Sequence, residues 1–269
     1  MIGFGLDGRR ALVSGAGWIP ERAGHGRASA RKLAEAGAIV ACVDIDEGRA
    51  KGIVDEILAE GGRAFPVLAD MTVRSEVERA VAEAVATMGG IDVCVDIIGK
   101  ATWNRSEELS DEDWTFAIQT NLTQVFYLFQ VVGKQMIAQG TGGSLVALAS
   151  VDGTVASRYH AAYGAAKAGV ISLAKTFADE LGRHGIRVNA VAPGNVGSGN
   201  EDQVEGVWAD NGINPLAAPR GTDVANAVLF LSSALAARIT GQTLTVDGGA
   251  TVQALWGMTP DELDQFRRF

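Results

Sequence analysis

The sequence predicts an α/β fold: a single doubly wound domain with a mainly parallel seven-stranded sheet and helices on both faces. Three observations carry this expectation. Apolar, β-branched runs alternate with amphipathic segments from residue 10 to about residue 249 without a compositional break, the pattern of repeated strand–helix–strand units. The runs are almost continuously apolar, which indicates strands buried on both faces between helical layers. With 269 residues, 47% hydrophobic and 20% charged, the chain can build one large core and is too apolar to be disordered.

In order, strand-like runs lie at 11–14, 39–44, 64–69, 92–98, 144–149, 187–192 and 243–246, and helix-like segments near 24–36, 46–60, 73–88, 111–139, 161–183 and 222–236. Ser110, followed by Asp111, Glu112 and Asp113, reads as a helix N-cap with acids in the first turn. Thr259, Pro260, Asp261 and Glu262 read as a capping box that opens a short final helix. The division is thus a domain over 1–249 and a tail over 250–269. Trp256, Leu263, Phe266 and Phe269 would be bare on an isolated helix, so the tail is expected to dock on its own subunit or a neighbour.

Lys and Arg number 23 against 32 Asp and Glu, a formal charge of −9. With no clustered basic surface, a nucleic-acid partner is excluded. No apolar stretch approaches the roughly 18 to 20 residues that span a bilayer. The first residues lack the cationic patch and apolar run of a secretory signal, so a cytoplasmic protein is expected. Cys42 and Cys94 fall on strands flanking the first one, too far apart for a disulfide, and read as core residues.

In an open parallel sheet ligands bind beyond the carboxyl ends of the strands. After the first strand comes SGAGWIPERAGHGRA, in which Gly15, Gly24 and Gly26 bracket a loop leading into a helix. Such glycines let backbone N–H groups approach a pyrophosphate at the helix's positive end, though a similar turn can merely join strand to helix. The second strand ends at Asp44, 18 residues after Gly26. A carboxylate there suits the adenosine ribose hydroxyls and repels a 2′-phosphate, which favours NAD over NADP. Its alternative role is to cap the next helix together with Asp46. Arg22, in the same loop, is a cation that could attract a 2′-phosphate instead.

Tyr163 and Lys167 stand four residues apart, on one face of a helix. A tyrosine with a pKa near 10 is a poor base at neutral pH and needs a nearby cation. At about 5 Å and an effective dielectric of about 20, an ammonium contributes roughly 3 kcal/mol, so Tyr163 is expected to ionise more easily than a free phenol.

With Ser150 thirteen residues before Tyr163, Asn121 in IQTNL, Asp70 after the third strand, the VNAVAPGNV run and ITGQTLTVDGG near the end, the chain resembles the short-chain dehydrogenase/reductase family over roughly residues 8–249. The resemblance implies a Rossmann-type domain that binds NAD and moves a hydride between nicotinamide and a secondary alcohol or ketone. It assigns Tyr163 to proton exchange with the substrate oxygen, Ser150 to hydrogen bonding that oxygen, Lys167 to the tyrosine and the nicotinamide ribose, and Asn121 to a water in the proton relay. Around the dinucleotide it sets Gly15, Gly24 and Gly26 at the pyrophosphate. Asp44, Ile45 and Gly99 fall by the adenosine ribose, Asp70 and Met71 by the adenine, and Pro193, Gly194, Val196 and Ser198 by the nicotinamide. It further implies a small-molecule alcohol or ketone as partner, and a homotetramer or homodimer built from the helices near 111–139 and 161–183. An NADPH-dependent reductase using Arg22 and an idle nucleotide-binding regulator are the alternatives.

Two departures stand out. The family's first two glycines have three residues between them, whereas Gly15 and Gly24 have eight. The insertion either bulges into solvent or folds over the pyrophosphate, with Trp18 or Ile19 touching the cofactor. After the fourth strand the family's Asn-Asn-Ala-Gly is replaced by Asp96, Ile97, Ile98 and Gly99, and a buried Asp96 must accept from a backbone N–H or a hydroxyl. Related enoyl reductases also lengthen the glycine turn, but they place six residues between tyrosine and lysine. The three found here favour carbonyl and alcohol chemistry. Trp103, Val155, His160, Trp208 and Trp256 are candidates for an apolar substrate wall. His160 reads more readily as a surface residue than as a second base.

Overall fold

The computed structural model describes residues 3–19, 24–196 and 214–252. Its strands are β1 (Arg10–Ser14), β2 (Ile39–Asp44), β3 (Arg63–Leu68), β4 (Val93–Asp96), β5 (Gly143–Leu148), β6 (Ile186–Pro193) and β7 (Thr243–Val246). They form one sheet in the order β3-β2-β1-β4-β5-β6-β7, with every neighbouring pair parallel. The sequence therefore predicts each strand to within a residue or two, save that β4 ends at Asp96, short of residue 98. There the chain leaves the sheet, and Ile97 to Gly99 line the crevice beyond it.

Apolar residues on both faces of each strand require two covering layers. On one face pack α1 (His25–Glu35), α2 (Glu47–Ala59) and α7 (Gly221–Ser232). On the other lie α3 (Arg74–Met88), α5 (Gln124–Gln139) and α6 (Ala161–Gly182). Cys94 is in register with Leu12 and Cys42 with the adjacent Val13, so the two thiols point to opposite faces as well as standing on separate strands. Both are free and buried. Burial pushes the Cys42 thiol up to about 12 and Cys94 well above its ordinary value.

The single helix expected over 111–139 is instead two. α4 (Asp111–Ile118), with Ser110 accepting from the backbone N–H of Asp113, is joined to α5 by a π-helical turn at Gln119–Thr123. The extra residue in that turn gives Asn121 its orientation. Its amide nitrogen donates to the Ala117 and Lys100 carbonyls, and its Oδ1 accepts from the Lys100 N–H. Apolar periodicity continues through the break, which is why the sequence conceals it. Residues 253–269, including the capping box at Thr259 and the side chains of Trp256, Leu263, Phe266 and Phe269, lie outside the described residues.

β1 leads to β2 on one side and, by sheet order, adjoins β4 on the other, so chain direction across the sheet reverses between them. This switch opens a crevice at their carboxyl ends. The opposite ends are fastened by Arg10, whose backbone N–H and Nε donate to Asp92 Oδ2 at 3.0 and 2.8 Å while its second terminal nitrogen donates to Oδ1 at 2.7 Å. Burial works against Asp92 ionisation, and the Arg10 bonds outweigh it, holding the carboxyl below its ordinary 3.8. A carboxyl with a depressed folded pKa stabilises the fold above the unfolded value and loses that contribution as pH falls through the folded one. Asp92→Asn is expected to cost about 2 kcal/mol in urea unfolding at pH 7, with the difference from wild type shrinking as pH drops below about 4. An equal difference at both pH values would contradict the ion-pair assignment.

Candidate active site

The crevice is a cavity of about 1390 Å³. Gly15 and Gly24 adopt φ of 70° and 66°, the left-handed region that glycine enters without strain. Gly26 has a different reason: a Cβ there would lie 1.8 Å from the Gly15 carbonyl oxygen, so only glycine lets α1 approach the end of β1. α1 has no side-chain cap and no acid in its first turn. The N–H groups at an uncapped helix start favour an anion, so the residues fit a dinucleotide pyrophosphate.

Ile19 lines this cavity and Trp18 does not. Trp18 is 40% exposed and its ring lies 5.2 Å from the Arg27 guanidinium. The expectation that either residue meets the cofactor thus narrows to Ile19, because cation–π contact with α1 turns the indole away. Arg22 lies outside the described residues.

At the end of β2, Asp44 and Ile45 line the cavity. Asp44 Oδ1 accepts from the backbone N–H of Asp46 and from Arg49, 3.0 Å from its terminal nitrogen, and Oδ2 accepts from the Gly17 N–H at 3.1 Å. Oδ2 thus keeps a lone pair for a ribose hydroxyl. The cap of α2 is Asp46, which accepts from the Arg49 N–H. Asp70, Met71, Gly99, Pro193, Gly194 and Val196 line the same cavity. Ser198 lies outside the described residues.

Ser150 follows β5, while Tyr163 and Lys167 project from α6. Ser150 favours the Tyr163 phenolate, and its hydroxyl accepts from the Asp152 N–H at 3.2 Å. Lys167 is 1% exposed, its ammonium donating to the Leu148 carbonyl at 2.7 Å and lying 5.7 Å from the centre of the Tyr163 ring. Gly99 makes room for it, since a Cβ there would stand 3.1 Å from Lys167 Nζ and 3.2 Å from Asn121 Oδ1. Asn121 is fully buried behind the cavity wall and holds the chain after β4 at Lys100.

The electrostatics correct one expectation. Burial pushes Tyr163 up to about 12, with the Ser150 hydrogen bond opposing the shift and the Asp152 charge adding to it. Lysine proximity does not offset desolvation here. Burial also brings Lys167 down to about 8, with Asp96 opposing. Asp96 itself has the donors it requires: the Ser14 hydroxyl at 2.5 Å and the Gln124 amide at 3.0 Å.

His160 is not a surface residue. Its ring is 11% exposed, pairs with Asp152 at 2.6 Å and meets the Trp103 ring edge-on at 4.0 Å. Trp103 and Val155 are 70% and 46% exposed, and neither they nor His160 line the crevice. Trp208 and Trp256 lie outside the described residues.

Comparison with known proteins agrees with this geometry. Residues 20–251 match the family model described as enoyl-(acyl carrier protein) reductase. The chain is 38% identical to a 3-oxoacyl-acyl-carrier-protein reductase of Staphylococcus epidermidis, over 90% of this chain and 98% of the relative. It is 35% identical to an L-rhamnose 1-dehydrogenase (NAD(P)(+)) of a Sphingomonas species, over 92% and 98%. A crystal structure of a short-chain type dehydrogenase/reductase from Mycobacterium marinum superposes with a TM-score of 0.83 at 31% identity, covering 92% of this chain and 97% of that one. The chain belongs to the short-chain dehydrogenase/reductase family.

Within this short-chain dehydrogenase/reductase, three residues near the crevice escaped the sequence reading. His25 sits between two glycines that drew the attention. Arg49 returns over Asp44 because the first turn of α2 folds back on the end of β2. Asp152 is two residues past Ser150 in a 3-10 turn. The 2- and 5-residue spacings of the last two were the available signals. Gly26→Ala is expected to destabilise the fold by about 3 kcal/mol in thermal or urea unfolding, because the clash is with backbone. Unchanged stability would contradict the close approach of α1 to β1.

Proposed function

We propose that this chain is an NAD(H)-dependent oxidoreductase that moves a hydride between nicotinamide and a secondary alcohol or ketone. The observation that carries the reading is the Ser150, Tyr163 and Lys167 group at one end of a cavity whose other features are an uncapped helix N-terminus and a ribose-competent Asp44. The nicotinamide, when bound, supplies the hydride acceptor or donor and, oxidised, a positive charge.

The chain's own residues handle the proton. Tyr163 exchanges it with the substrate oxygen, and Ser150 holds that oxygen by a second hydrogen bond. Lys167 keeps a cation beneath the phenol and reaches the ribose hydroxyls. Asn121, fixed to Lys100, orients the end of the relay. A tyrosine that stands near 12 before ligands bind stays protonated at neutral pH, suited to donate to a ketone. For alcohol oxidation it draws on the positive potential of Lys167 and the oxidised nicotinamide.

The three-residue Tyr163–Lys167 interval supports carbonyl and alcohol chemistry over double-bond reduction. Asp44 supports NAD. One observation favours a second reading with NADPH: Arg49 lines the cavity against Asp44, and its guanidinium could turn to a 2′-phosphate. The exposed Trp114 and Phe116 of α4 and Ile137 of α5 support a homodimer or homotetramer.

Titration with NADH and NADPH, followed by nicotinamide fluorescence, is expected to give tighter NADH binding; the reverse order would assign the Arg49 reading. Tyr163→Phe should lower turnover of secondary alcohols at least about 100-fold and leave NADH affinity unchanged. Undiminished turnover would exclude the acid/base assignment, and no turnover by wild type over a panel of alcohols and ketones would leave the idle regulator as the better reading.

A further inference from the structure

His25 is an ionisable side chain in the crevice that the mechanism does not use. It is the first residue of α1, between Gly24 and Gly26, so its backbone stands where a pyrophosphate meets the open end of the helix. His25 lines the cavity. Nε2 is enclosed by protein and has no hydrogen-bond partner.

An enclosed N–H without an acceptor is more costly than an enclosed lone pair. The proton of the neutral ring therefore belongs on Nδ1. That nitrogen is not among the enclosed, partnerless atoms, and no hydrogen bond to a described residue engages it, which leaves it available to a ligand. Burial, and then the Lys167 charge, bring His25 down to about 4, so the ring is neutral at pH 7. The chain thus holds a fixed N–H donor between the α1 N-terminus and Lys167, at the cost of an orphaned Nε2 that a leucine would avoid.

We propose that His25 is a dinucleotide-binding residue whose Nδ1–H donates to a phosphate oxygen of the pyrophosphate. The inference rests on the dinucleotide site proposed above. It adds a side-chain contact to the backbone N–H groups of the glycine turn and places it on the side of the pyrophosphate that faces the catalytic lysine.

NADH fluorescence titrations, with ADP-ribose and AMP as competitors, test this in wild type, His25→Leu and His25→Gln. ADP-ribose carries the pyrophosphate without nicotinamide, and AMP lacks the pyrophosphate. The leucine variant should bind NADH and ADP-ribose about tenfold more weakly with AMP unchanged, and the glutamine variant, which retains an N–H donor, should recover most of the loss. ADP-ribose binding within twofold of wild type in His25→Leu overturns the phosphate contact. So does an equal loss for AMP, which would mark a general distortion of the turn. If the leucine variant does not fold, the glutamine variant and wild type decide alone: near-equal ADP-ribose affinity supports the contact and a tenfold loss overturns it. Wild type that binds neither NADH nor NADPH would instead refute the dinucleotide site itself.

Discussion

A buried ammonium organises this molecule's crevice. Lys167 is 1% exposed and bonded directly to a single carbonyl, that of Leu148, so its charge survives only with electrostatic support. Asp96 supplies that support, and Lys167 in turn favours the Asp96 carboxylate. The departure from the family's asparagine pair gains a physical meaning here. A carboxylate at the end of β4, satisfied by Ser14 and Gln124, replaces a neutral amide with a charge that helps retain the cation. Gly99 keeps the space open, and Asn121 pins the chain that passes over it.

From that cation follows the order of events at Tyr163. The phenol is half-buried and close to the Asp152 charge, so without ligands it resists ionisation more than free tyrosine does. A proton donor that stays loaded is what carbonyl reduction needs. Asp152 is in turn engaged by His160 and Ser157, which spreads its charge away from the phenol. The site is tuned by opposed contributions, with burial the largest and Ser150 working against it.

Most of the architecture was legible because burial on both faces leaves strands of unbroken apolar sequence, as in the ACVD of β2 or the SLVAL of β5. The glycines were legible for the same reason: contact of Gly26 with the Gly15 carbonyl allows no other residue. What stayed hidden depends on side-chain direction. The π turn at 119–123 breaks no apolar period. Trp18 turns to Arg27 and His160 turns inward to Asp152, choices not encoded in spacing, while the five-residue interval that lets Arg49 fold back on Asp44 is a weak signal on its own. The sign of the Tyr163 shift was misjudged because a two-charge estimate omits the cost of burying the phenolate.

The central claim concerns Lys167, and NMR of the protein labelled with ¹³C at the lysine ε-carbons tests it most directly. One ε-carbon resonance, absent from a Lys167→Met variant, should titrate near 8, well below a free lysine's roughly 10.4. If the resonance assigned to Lys167 titrates near the free-lysine value of about 10.4, its ammonium is solvated, and the account of the crevice built on a buried cation is contradicted.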